Sequence, residues 1–185
     1  MLDTKEKNIR GKNMTYEEAK RIFFKYDCSL FGWSREEPDT YEIFRSLNIP
    51  KETLDNWKAE MFLNIYEQLK EAGSGRLFLR LCDIYANKHT HDKESLLILK
   101  DALNKVNYTE PEVNAYVCES LIGRRDISAR DGLIFIAYDS GEKQIAEELM
   151  QSVLQLINVS TSDEYTLSRF EDIKNRCALI NSKIN

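Results

Sequence analysis

The chain of 185 residues is short of the features that mark several protein classes. Seven Gly and three Pro are too few for a turn-rich β-sandwich. No stretch approaches the roughly 18 consecutive apolar residues of a membrane span, and the opening MLDTKEKNIRGKN lacks the apolar centre of a secretion signal. Four cysteines (Cys28, Cys82, Cys118 and Cys177) lie far apart with no CxxC pair. That spacing argues against a zinc ribbon and points to buried, reduced thiols in a cytoplasmic chain. Neither GxSxG, Walker A nor GxGxxG occurs, so the signatures of common hydrolases and nucleotide binders are missing.

What is present has globular proportions. Apolar residues make up 42% and charged residues 31%, which argues against disorder. The net charge is −5; residues 1–13 hold four Lys/Arg and two acids, so residues 14–185 carry −7. An acidic body repels phosphate backbones and attracts basic surfaces. The expected partner is therefore a protein with a basic surface, with no nucleic acid, membrane or cofactor involved.

Apolar side chains recur at helical spacing almost throughout. After a disordered polar tail over residues 1–13, Thr15 and Glu18 form a capping box ahead of Tyr16, Ala19, Phe23 and Tyr26. The segment Asp27–Asp39 breaks the pattern, and a short helix follows on Tyr41, Phe44 and Leu47. Pro50 opens a long helix striped by Leu54, Trp57, Met61, Ile65 and Leu69, which Gly73 and Gly75 end. Further helices carry Phe78, Cys82 and Tyr85, and then Leu96, Leu99, Leu103 and Val106.

Thr109 is expected to cap a helix with Pro111 in its first turn, Glu112 closing the box and a buried stripe of Val113, Tyr116, Val117 and Leu121. LIFIAY has the β-branched and aromatic content of a strand. It is read as helix because Asp126, an expected cap, and Gly141 bracket a stretch of helix length. Ile145, Leu149, Val153 and Leu156 stripe the next helix. A last one, capped by Ser162 or Asp163, bears Leu167, Phe170, Ile173, Cys177 and Ile180. The expectation is a single all-α domain over residues 14–185. It would hold about eight or nine helices in antiparallel pairs, as an α-solenoid or an irregular bundle.

Within it, SARDGLIFIAYDSGEKQIAEELMQSVL (Ser128–Leu154) resembles a HEAT-type helical repeat. Arg130 and Asp131 stand where that family's Arg-Asp pair opens a first helix, Gly141 marks the turn, and Ile145 and Leu149 begin the second helix. The resemblance implies helix pairs that bury their apolar faces only by stacking, clearest over residues 109–158. A second segment, KYDCSLFGWSREEPDTYEIF, is similar in style to certain small acidic bacterial immunity proteins. That resemblance implies one-to-one binding of a cognate toxin domain and supplies no catalytic residue.

Candidate chemistry is sparse. His89 and His91 sit in NKHTHD near Cys82, Asp83 and Asp92. All are ligand types, but HxH in a loop between helices lacks a second ligand pair, so no metal is expected. Adjacent carboxylates such as Glu17–Glu18, Glu36–Glu37 and Glu147–Glu148 point in different directions on a helix and read as solvated faces. GSGR at 73–76 reads as a helix-ending turn, not a phosphate cradle, and Arg124–Arg125 complement a helix C-terminus. The expected partner-binding residues are Phe31, Trp33, Arg35, Glu36 and Glu37, since aromatic and Arg side chains outside a periodic core anchor interfaces. The competing reading places Phe31 and Trp33 as plugs at the end of the core. Function is therefore expected to be non-enzymatic protein binding of the immunity type. A general α-solenoid scaffold and a small carboxylate-based hydrolase are the alternatives.

Overall fold

The computed structural model describes residues 14–87, 91–123 and 132–184. The expected tail over residues 1–13, the cap Asp126, the pair Arg124–Arg125, His89 and the repeat-opening pair Arg130–Asp131 lie outside the described residues. The fold is all-α, with ten helices and no strand among the described residues. Two compact units emerge, Met1–Met61 and Phe62–Asn185.

The first unit contains α1 (Tyr16–Lys25), α2 (Leu30–Glu36), α3 (Pro38–Ser46) and the first half of α4 (Lys51–Ala72). The capping box forms as expected: Glu18 N–H donates to the Thr15 hydroxyl, and Thr15 N–H donates to the Glu18 carboxylate at 2.9 Å. The segment Asp27–Asp39, expected to interrupt the helices, instead folds as α2 and the start of α3. Ser29 caps α2 by accepting from Gly32 N–H at 3.0 Å, and Pro38 sits in the first turn of α3. The seven-residue α2 is too short to show a periodic stripe, so the pattern breaks there. The turn before α2 puts Asp27 (φ 50°) and Cys28 (φ 60°) in the left-handed region. Roughly 1–2 kcal/mol of strain per residue is offset there by burying Cys28 with Phe23, Trp33, Phe44 and Trp57.

The second unit contains the rest of α4 with α5 (Gly75–Ala86), α6 (Lys93–Lys105), α7 (Pro111–Ile122), α8 (Leu133–Asp139), α9 (Lys143–Leu156) and α10 (Glu164–Ile184). At its centre is α7, packed against α5, α8, α9 and α10, with Asn114, Ala115, Val117, Cys118, Leu121 and Ile122 all buried. LIFIAY is helical, as read from the sequence, and Gly141 (φ 85°) turns the chain from α8 into α9. Lys93–Glu142 at 2.7 Å and Lys100–Glu148 tie α6 to α9. Asp163 is the cap of α10, its carboxylate accepting from Thr166 N–H at 2.8 Å.

Three local expectations are corrected. Thr109 does not cap α7: the helix begins at Pro111, which puts Glu110 at the cap position, without a side-chain bond. Gly75 does not end α4 but begins α5, and a Cβ there would lie 2.6 Å from Val113 Cγ1. Tyr16, Tyr116 and Leu167, expected in buried stripes, are 49%, 44% and 46% exposed, each flanking the face its helix buries.

Gly132 shows the tightest approach. A Cβ there would sit 2.4 Å from Gly123 N and 2.5 Å from the Ile122 carbonyl carbon, so only a residue without a side chain lets the start of α8 lie against the end of α7. Gly132→Ala is expected to lower stability by at least about 1–3 kcal/mol, read as a fall in the urea midpoint by circular dichroism. An unchanged midpoint would show that this contact can relax freely.

Candidate functional site

The expected binding residues all fall on α2 and its C-terminal boundary, and the fold separates them. Trp33 is fully buried. Its ring centroid lies 4.5 Å from Phe44, and rings of Tyr26 and Tyr41 also flank it at 6.3 and 6.1 Å. Its indole N–H donates to the Thr40 hydroxyl at 2.9 Å, which satisfies the one polar atom this ring brings into the core. Glu37 is half-buried and structural: Lys25 donates to its carboxylate at 2.6 Å, and its backbone N–H closes α2 onto the Trp33 carbonyl. Lys25 first, then Tyr26 and Thr40, hold the Glu37 carboxyl below its ordinary range.

Phe31, Arg35 and Glu36 remain on the outside. Phe31 is 76% exposed, the most exposed large apolar side chain of those described, and Arg35 and Glu36 are exposed on the same short helix. The result is an apolar projection beside two charges: Trp33 anchors α2 in the core while Phe31 stands in water on the other side.

Other sequence candidates resolve into scaffolding. In each adjacent acid pair one member is spent on structure: Glu18 caps α1, Glu37 binds Lys25, and Glu148 binds Lys100. All three carboxyls are held below their ordinary range: Glu18 chiefly by the Thr15 N–H, Glu37 by Lys25 and Glu148 by Lys100. A catalytic acid needs the opposite shift. His91 packs against the Tyr85 ring at 4.9 Å, and among the described residues no three His, Cys, Asp or Glu side chains converge as a metal site. The GSGR turn lines a groove of about 240 Å³ with Asn107, Thr109 and Glu110, and Asn107 N–H donates to the Gly73 carbonyl at 2.8 Å.

One cluster escaped the sequence reading. Arg169 on α10 is 5% exposed and forks onto Glu119 of α7, its Nε and Nη2 donating at 3.0 and 2.9 Å. Its guanidinium lies 3.9 Å from the Tyr116 ring centroid and 5.7 Å from that of Tyr165. Tyr116–Glu119 (i, i+3) and Tyr165–Arg169 (i, i+4) are each legible as helical neighbours. That the two pairs meet, 50 residues apart, is not.

No protein-family model matches the chain, and no curated protein or solved structure is similar to it.

Two expectations test this assignment of inside and outside. Trp33→Ala is expected to cost about 3–5 kcal/mol in urea unfolding, whereas Phe31→Ala, two residues away, changes stability by no more than about 0.5 kcal/mol. The four cysteines are all free and buried, and burial pushes the Cys82, Cys118 and Cys177 thiols up, Cys177 to about 11. At pH 8 the native protein is expected to resist a thiol-reactive disulfide reagent and to release its full thiol count only in denaturant. Rapid labelling of the native protein would contradict the burial.

Proposed function

We propose that this chain is a non-enzymatic protein-binding module. Specifically, it acts as a bacterial immunity-type protein that binds a cognate toxin domain in the cytoplasm and blocks its working surface. The observation that carries the reading is the placement of Phe31: a large apolar side chain, 76% exposed, on a helix locked from beneath by Trp33. Exposed aromatics on pre-organised elements anchor interfaces because little conformational freedom is lost on docking. The net charge of −5 adds long-range attraction for a basic partner. Among the described residues no helix is long and apolar enough to cross a membrane, which agrees with action in an aqueous compartment.

The mechanism is occlusion. Phe31 enters an apolar recess of the partner, Glu36 and Arg35 set its orientation, and the acidic body covers a basic substrate groove. Trp33 and Glu37 contribute by holding α2 in place and make no contact themselves.

The test uses the protein encoded immediately upstream, the position where the cognate toxin of an immunity-type protein is expected. Phe31→Ala combined with Glu36→Lys is expected to weaken the complex by roughly a hundredfold, from an apolar anchor and a reversed charge worth about 1–2 kcal/mol each, with the fold intact by circular dichroism. Undiminished binding would remove α2 from the interface. No binding by the unaltered protein would overturn the immunity reading.

A further inference from the structure

The face shared by α7 and α10 has the make-up of a second docking surface. The two helices run in the same direction: Arg169 meets Tyr116 and Glu119, and seven residues further along α10, Arg176 donates to the Gly123 carbonyl just past the end of α7. Their first turns therefore lie at the same end of the pair. Tyr116 and Tyr165 border that end, 44% and 67% exposed, each with its ring against the same buried guanidinium. Arg169 cannot leave, because Glu119 holds it by two bonds. Each ring thus rests against a buried cation while still open to water, so less side-chain freedom is lost on binding than for a ring without such a contact.

Charge says what would cover them. Residues 106–123 contain Glu110, Glu112 and Glu119 and no Lys or Arg, and residues 158–173 contain Asp163, Glu164, Glu171 and Asp172 against Arg169 alone. Arg169 is matched by Glu119, and Asp172 faces Arg176 at 3.8 Å. Glu171 lies on the opposite flank of α10, beside Leu167 and Lys174. That leaves Glu110, Glu112, Asp163 and Glu164, all exposed, around the shared end, with Arg76 the one cation among the described residues lining the groove beside Glu110.

We infer that the α7–α10 face, centred on Tyr116 and Tyr165, docks a lysine- or arginine-rich segment of a protein partner. Its cationic heads meet Glu112 and Glu164, and its alkyl stems lie along the two tyrosine rings. The inference rests on the reading of the chain as a protein-binding module and adds where, and by what chemistry, the basic part of the partner is recognised. Aliphatic stems of Lys and Arg cover apolar surface while their heads stay with charge, which suits rings rimmed by carboxylates.

A capped oligolysine peptide is the probe, titrated into the whole isotopically labelled chain at low salt, with amide shifts followed by NMR. Saturable shifts are expected at residues 110–119 and 163–172, fading as salt is raised, and absent with a capped oligoglutamate of the same length. The double variant Glu112→Lys/Glu164→Lys is expected to weaken binding about tenfold or more, and Tyr165→Ala, an exposed substitution, several-fold. Glu17→Lys/Glu94→Lys, which reverses the same net charge at the first turns of α1 and α6, is expected to leave it within about twofold. Equal weakening by both double variants would mean net charge alone attracts the peptide, and would overturn the inference. So would shifts centred on α2, or no saturable binding at all. A toxin complex lost through Phe31 while the peptide still maps to α7–α10 would keep the two conclusions apart.

Discussion

A helix of twelve residues is marginal in water by itself, and α7 is held by what surrounds it. Its six buried side chains, from Asn114 to Ile122, leave only the flank bearing Tyr116 and Glu112 to solvent. An element apolar on so much of its circumference requires neighbours on several sides, and α5, α8, α9 and α10 supply them. Close packing of four helices on one then sets where small residues must stand. Val113 reaches over α5 where Gly75 has no side chain, and Gly132 lets α8 start against the backbone at the end of α7. The surface ion pairs between α6 and α9 add at most a few tenths to about 1 kcal/mol each and follow from this arrangement more than they cause it.

The same demand for cover sorts the polar residues. Glu18 closes the start of α1 while Glu37 and Glu148 bind lysines of other helices, and the lowered pKa of each of the three records that engagement. The Cys82, Cys118 and Cys177 thiols are sealed in apolar surroundings that disfavour the thiolate. What the scaffold leaves available is surface: Phe31 above Trp33 in one unit, and the tyrosine pair beside Arg169 in the other. Both are exposed aromatic side chains beside a buried anchor: Trp33 holds the helix that carries Phe31, and Arg169 lies against the two tyrosine rings.

Much of this architecture was legible in the one-dimensional pattern. The caps at Thr15 and Asp163 and the stripes Leu96–Leu99–Leu103 and Ile145–Leu149–Val153 follow from spacing of three and four and from local hydrogen bonding. Such signals involve residues within one turn of each other, so the chain encodes them locally. The seven-residue α2 is too brief for a period to register, and its existence depends on Trp33 finding Phe44 and Thr40.

Periodicity also cannot rank two aromatics on one short helix. Phe31 and Trp33 stand about 200° apart round α2, so only one can face the core, and it is Trp33, whose indole N–H meets the Thr40 hydroxyl. Likewise, the pattern of α7 placed Tyr116 with the buried stripe, because a stripe shows which face is apolar and not how far the neighbouring helix reaches across it. Arg169, arriving from α10, covers one side of that ring and leaves its edge in water. The longer helices, the caps at Thr15 and Asp163 and most of the buried faces were thus legible from neighbours in the chain. The exposed anchors and the Tyr116–Glu119–Arg169–Tyr165 cluster were settled by contacts between helices distant in sequence, since only packing in three dimensions decides which side chains share a space.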